Sequence, residues 1–201
     1  MKPLLPALLA LAISAPAAWA DDCADRMAEL HMQSMHRENL VVVVTTALPD
    51  YGSSLKDEFR YATDGDYMIM PMSDNPWTLY RGGVLYQSLD KGKSWKRLRS
   101  LDKAEMDEAA ASELKEYQEQ VGSIQNAVCR DKIIKGVNYE TVQAEMKVRL
   151  PEPTEMRTIY QVSRADGTIV RSISLITSDG LRTLVDERRT PAPGLTLPEP
   201  E

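Results

Sequence analysis

Between Asn39 and Arg99, and again between Asn138 and Arg188, the chain is cut into short apolar-bearing runs by turn signals. Pro49-Asp50-Tyr51-Gly52, Asp64-Gly65, Arg81-Gly82-Gly83, Asp90-Lys91-Gly92, Asp166-Gly167 and Asp179-Gly180 are the cuts. Glycine at such places supplies the positive φ that tight hairpins need, and the connections are too short for parallel crossovers. The runs therefore read as antiparallel strands. Asn39–Leu48 (NLVVVVTTAL) is β-branched without alternation, which suits a strand covered on both faces. Lys56–Thr63 alternates, with Phe59 and Tyr61 on one side and Glu58 and Arg60 on the other. In Asp66–Met72, Met68, Met70 and Met72 share a side. Trp77–Tyr80, Val84–Leu89 and Ser94–Arg99 complete a first meander. Asn138–Leu150, Met156–Arg164, Thr168–Ser178 and Leu181–Arg188 form a second.

The period changes in two places. In Asp21–Arg37, Ala24, Met27, Ala28, Leu30, His31 and Met35 recur at helical spacing. Asp102-x-x-Glu105 is a capping box. Met106, Ala110, Leu114, Tyr117, Val121, Ile124 and Val128 then step by 3 and 4, which predicts an amphipathic helix ending at Cys129. Two helices and two runs of antiparallel strands, with no linker or long repeat between them, make one α+β domain over residues 21–190. A Pro-rich tail, 191–201, follows as an extended or disordered end.

Met1–Ala20 has the form of a secretory leader: Lys2, a short Leu/Ala/Ile run broken by Pro6 and Pro16, and Ala18-Trp19-Ala20 as cleavage site. The competing reading, a membrane anchor, needs a longer unbroken apolar run. Export to the periplasm follows. There an even pair of cysteines, Cys23 and Cys129, reads as a structural disulfide, with a redox or metal thiol role as the alternative. Removing the leader, which carries Lys2 and no acid, moves the net charge of −6 to −7. That sign argues against nucleic-acid partners and against electrostatic docking on anionic membrane, and because no other stretch approaches membrane-spanning length, stable membrane insertion is not expected.

Chemistry-bearing motifs are few. Ser88-Leu89-Asp90-Lys91-Gly92-Lys93-Ser94-Trp95 resembles the Asp-box hairpin of sialidases, a folding device rather than a catalytic one. His31, Met32, Met35 and His36, with Met27, are the one set with the thioether and imidazole donors that suit copper, although Met on a helix face ordinarily fills core. No H-E-x-x-H, G-x-S-x-G, phosphate loop or G-x-G-x-x-G is present. Asp64/Asp66 suits a turn better than an acid/base pair. The expectation is a protein without enzymatic activity and without a cofactor.

The succession of elements resembles the LolA/LppX-like half-barrel proteins of the bacterial envelope. Local phrases carry it: Phe59-Arg60-Tyr61-Ala62 before Asp64-Gly65-Asp66-Tyr67-Met68-Ile69, then Gly92-Lys93-Ser94-Trp95-Lys96, Gly136-Val137-Asn138-Tyr139-Glu140, and Tyr160–Gly167 leading into Arg171-Ser172. The resemblance implies a curved antiparallel sheet, an open half-barrel, whose concave face is covered by the N-terminal and the interposed long helix. It implies a periplasmic binding protein holding a lipid or other apolar ligand. Phe59, Tyr61, Met68, Met70, Tyr80, Tyr86 and Met146 are the candidate lining residues. The alternative is a protein-interaction module, a stress regulator or an inhibitor of a toxin or enzyme, binding a periplasmic protein through an acidic surface and a loop such as Ser73–Trp77.

Overall fold

Strand follows strand through short turns in the computed structural model, which describes residues 18–63, 65–150 and 152–200. The leader expected at Met1–Ala20 lies, up to residue 17, outside the described residues, as does Asp64 of the Asp64-Gly65 turn. Helix α1 (Ala18–Ser34) precedes β1 (Leu40–Leu48), β2 (Ser53–Tyr61), β3 (Tyr67–Pro71), β4 (Trp77–Arg81), β5 (Val84–Ser88) and β6 (Lys96–Ser100). Helix α2 (Lys103–Val121) leads into β7 (Gln125–Ile134), β8 (Val137–Leu150), β9 (Glu152–Ser163), β10 (Ile169–Ser178) and β11 (Leu181–Pro191). All eleven strands form one antiparallel sheet, ordered β6-β5-β4-β3-β2-β1-β11-β10-β9-β8-β7. The two meanders meet where β1 pairs β11 from Leu40↔Pro191 to Ala47↔Leu184. β1 therefore sits mid-sheet, but of its nine residues only Val42 is buried, so the cover on both faces that its unbroken apolar run suggests is not found.

The sheet does not close, and α2 connects its two edges, β6 and β7. Ten strand spacings would span about 48 Å if flat. A 19-residue helix spans about 28 Å. A connection shorter than the sheet is wide draws the edges together, so the sheet curves and α2 crosses the concave side. The fold is thus the α+β open half-barrel that the order of elements implies.

The long helix is shorter than its period predicts. It starts at the expected capping box, with Glu105 N–H donating to Asp102 Oδ1 (2.8 Å) and Asp102 N–H to Glu105 Oε2 (3.1 Å). It ends at Val121, and Gly122 N–H closes it on Gln118 O. Val128 and Cys129 belong to β7, and Ile124 to the link before it, not to the helix. Three causes override the 3/4 step: Gly122-Ser123, the β-branched Val128, Ile133 and Ile134, and the Lys135-Gly136 turn, where both residues have positive φ (51° and 80°). A disulfide from Cys23 to Cys129 (Cα–Cα 5.6 Å) ties α1 to this strand.

Strand register sorts side chains onto two faces. On the concave face Met27 and Leu30 of α1 are fully buried against Val142, Ala144, Met146, Met156, Tyr160 and Val162. On the other face Met68, Met70 and Leu79 pack beneath Trp77, Tyr86 and Trp95. The tail is ordered rather than loose. Leu197 is buried in this second core, and Arg81 donates to Leu197 O (2.8 Å) and Pro198 O (2.6 Å).

Candidate functional site

Two adjoining cavities lie between the helices and the concave face. The larger, about 520 Å³, has Phe59, Tyr61, Tyr67 and Ile69 of β2 and β3 as floor, with Met35 and Arg37 beyond α1 as one wall. Register places these floor residues on one face: Tyr61 pairs Tyr67 and Phe59 pairs Ile69. Their rings follow one another, Phe59–Tyr61 at 6.2 Å, Tyr61–Tyr67 at 6.3 Å and Tyr67–Tyr80 at 5.3 Å. The smaller cavity, about 260 Å³, runs deeper under α2 and is polar, with Thr158, Ser172, Ser174, Glu187 and Arg189 on its sheet side. Arg37 and Glu113 line both. The pair makes one groove with an aromatic end and a polar end.

Arg37 marks the junction. Its guanidinium lies 5.5 Å from the Tyr61 ring centroid, and Nη1 donates to Tyr61 Oη at 3.1 Å. At the polar end Arg189 is buried. Nη2 donates to Glu187 Oε2 (2.8 Å) and Nη1 to Ser34 O (3.1 Å), whereas Nε is enclosed and has no hydrogen-bond partner among the described residues. Burial pushes the Glu187 carboxyl up, but Arg189, Arg37 and the Ser172 hydroxyl outweigh it and hold the group below its ordinary value.

His31 closes the end of the groove. Gln120 Nε2 donates to Glu116, so Gln120 Oε1 faces His31 Nε2 at 2.7 Å and must accept from it. His31 Nδ1 then accepts from Tyr160 Oη at 2.8 Å. Burial lowers the His31 pKa, favouring the neutral ring that this pattern needs. Tyr117 stacks on the imidazole at 4.7 Å. At the opposite end of α2, Tyr80 Oη donates to Met106 Sδ (2.8 Å). Helix α2 is therefore pinned at both ends across the groove, while residues 107–116 between are exposed.

The sequence-derived candidates separate on these faces. Phe59 and Tyr61 line the larger cavity. Tyr80 is buried behind Tyr67, and Met146 is buried in the α1 core; both lie on the concave face. Met68, Met70 and Tyr86 belong to the second core on the opposite face, one register step away, and do not meet the others. Of the suggested copper donors, His31 has both ring nitrogens in hydrogen bonds and Met35 and His36 line the larger cavity, so the structure does not gather the set around one point. In the Ser73–Trp77 loop Asp74 and Asn75 are exposed, but Trp77 is packed in the second core. Asp66 accepts from Gly82 N–H (2.8 Å), a turn contact.

Arg37, Glu187 and Arg189 were not anticipated. Their signal is the period-2 placement of polar residues, Ser172/Ser174 and Glu187/Arg189, in strands otherwise read as core. The Asp-box hairpin forms as expected. Asp90 accepts from Ser94 N–H (2.9 Å), Ser94 Oγ (2.6 Å) and Ser88 Oγ (2.8 Å), which hold its carboxyl down at about 2.

An open curved sheet thus carries a two-ended groove beneath its crossing helices. No protein-family model matches the chain, and no curated protein matches it. Among solved structures it is similar to a DUF1329 family protein from Desulfovibrio piger (13% identity, 91% of this chain and 96% of that one, TM-score 0.28). It is also similar to a domain described as an outer membrane lipoprotein-sorting protein from Vibrio parahaemolyticus (10% identity, 86% and 95%, TM-score 0.30). Superpositions this loose leave function to the chain's own geometry.

Proposed function

We propose that the protein is a periplasmic, non-enzymatic binding protein that holds an amphiphile in the groove between α2 and the sheet. The apolar part of the ligand lies along Phe59, Tyr61, Tyr67 and Ile69, and its oxygen-bearing head reaches Arg37 and Arg189. The observation that carries this reading is the meeting of an aromatic trough with a polar cavity lined by Arg37 and Arg189. An aromatic floor contributes apolar area, and one guanidinium contact selects a head that accepts hydrogen bonds. The Cys23–Cys129 bridge fits an oxidising compartment. Among the described residues no helix is long and apolar enough to cross a membrane.

The test is native mass spectrometry and solvent extraction of protein purified from the envelope, followed by titration with a fluorescent fatty acid. A bound amphiphile, and at least ten-fold weaker probe binding in Tyr61→Ala/Tyr67→Ala, is the expected outcome. Protein that emerges empty and does not bind the probe refutes the reading. A protein-interaction role draws support from α2, where Met106 and Leu114 stay partly exposed. A stable partner recovered from the envelope that protects α2 from proteolysis would establish it.

A further inference from the structure

The opposite face of the second meander carries a basin of about 610 Å³ that the groove does not reach. Register lays it out row by row. Val128, Gln143, Ile159 and Ile173 follow one another across β7–β10, giving an apolar floor interrupted by one amide. In the adjacent row Arg130 stands beside Thr141, then Gln161, then Arg171. Lys132 is two residues from Arg130 on β7, and Arg157 is two from Ile159 on β9, so both rise from the same face.

The charges here are unspent. In β10 and β11 every arginine has a carboxylate: Arg171 and Arg188 with Asp186, Arg182 with Asp50, Arg189 with Glu187. Arg130, Lys132 and Arg157 make no ion pair among the described residues. Of the nearby acids Asp131 is paired with Arg164 and Asp186 with Arg171, while Glu145, opposite Arg157, accepts from Asn126 Nδ2 (2.6 Å) and Glu155 stands two residues from Arg157 on the same face.

We propose that this basin is a second binding site, for an amphiphilic anion whose phosphate-type head is held by Arg130 and Arg157, with Lys132 beside them. The short apolar body rests on Val128, Ile159 and Ile173. Arginine forks match phosphate oxygens in pairs, and the rows set the cations on both sides of the apolar strip. Arg171 keeps its bond to Asp186 and shapes the rim. The site is independent of the groove reading, since the two lie on opposite faces.

The full chain is titrated with octyl phosphate below its micellar concentration, with inorganic phosphate and octanol in parallel. Backbone amide NMR shifts and calorimetry are the readouts. The expected result is saturable octyl phosphate binding, with shifts centred on Thr141, Gln143, Ile159 and Ile173. Affinity should fall at least ten-fold in Arg130→Gln/Arg157→Gln and be at least ten-fold weaker for either control. Both substitutions are at exposed positions, and an unchanged amide spectrum elsewhere shows that the fold is kept. Shifts confined to Phe59–Ile69, unchanged affinity in the double variant, or equal binding of inorganic phosphate each overturn the proposal. The first of these outcomes leaves the groove reading standing.

Discussion

Removing the disulfide by Cys23→Ala/Cys129→Ala tests how far α1 depends on a covalent tie. The bridge closes a loop of 106 residues, which holds the whole first meander and α2. In the chain-entropy treatment, a loop of that size stabilises the fold by about 4.7 kcal/mol, through restriction of the unfolded chain. Alanine avoids leaving a hydroxyl unpaired where Cys129 packs against the α1 core. The loss is large beside the 5–15 kcal/mol, roughly, that holds a domain folded. With a urea m-value of about 2 kcal/mol/M, the midpoint should fall by about 2 M. The m-value should rise, because the unbridged unfolded chain is more expanded. Urea unfolding followed by circular dichroism measures both, and thiol titration of the denatured wild type should find no free thiol. A midpoint shift under about 0.5 M with unchanged m would refute the argument, because the loop would then not constrain the unfolded state.

Three further outcomes follow from single sites. His31 has a lowered pKa because it is buried, so below about pH 6.5 the unfolded state binds a proton that the fold resists. Stability should therefore decline as pH falls below about 6.5, with a slope of at most about 1.4 kcal/mol per pH unit. Denaturant midpoints across that range should flatten in His31→Gln, and an identical slope in the variant removes His31 as the cause. Gly92 has φ +86°, and a Cβ there would sit 3.0 Å from Trp77 Cζ3. Gly92→Ala should cost about 2 kcal/mol and lower Tm by roughly 6 °C, and a calorimetric shift under about 1 °C would contradict it. Leu30 is fully buried between α1 and the sheet, so Leu30→Ala should cost about 3 kcal/mol in the same assay.

The strands were legible because their turn residues are. Asp-Gly and Gly-Gly pairs mark where φ turns positive, and the meander follows from their spacing. Strand β7 was hidden because Val121, Ile124 and Val128 continue the helical step past the point where the backbone stops. Only Gly122 and the Lys135-Gly136 turn betray the change, and both are short signals against a long one. The face of each strand was legible only up to a mirror choice. Met68 and Met70 visibly share a side, yet nothing local says whether that side meets the helices. Register against β2 decides it, pairing Met68 with Arg60 and Met70 with Glu58. The polar half of the groove stayed hidden for a related reason. Glu187 and Arg189 look like an exposed pair until β11 is placed mid-sheet, under α1 and Arg37.

The pairing of β1 with β11 also has a consequence for the order in which the molecule can be built. Leu40 and Pro191 are partners roughly 150 residues apart, while every other strand pairs with its sequence neighbour. Each meander can form from local contacts as it is synthesised, but the junction must wait for the last strand. Until then β1, with Leu40–Leu48 nearly all apolar or β-branched, is an open edge. The same junction is where two chains could exchange halves, β1 of one copy accepting β11 of another with every bond preserved. Two nascent chains brought close before either finishes would thus meet first along Val41–Val44.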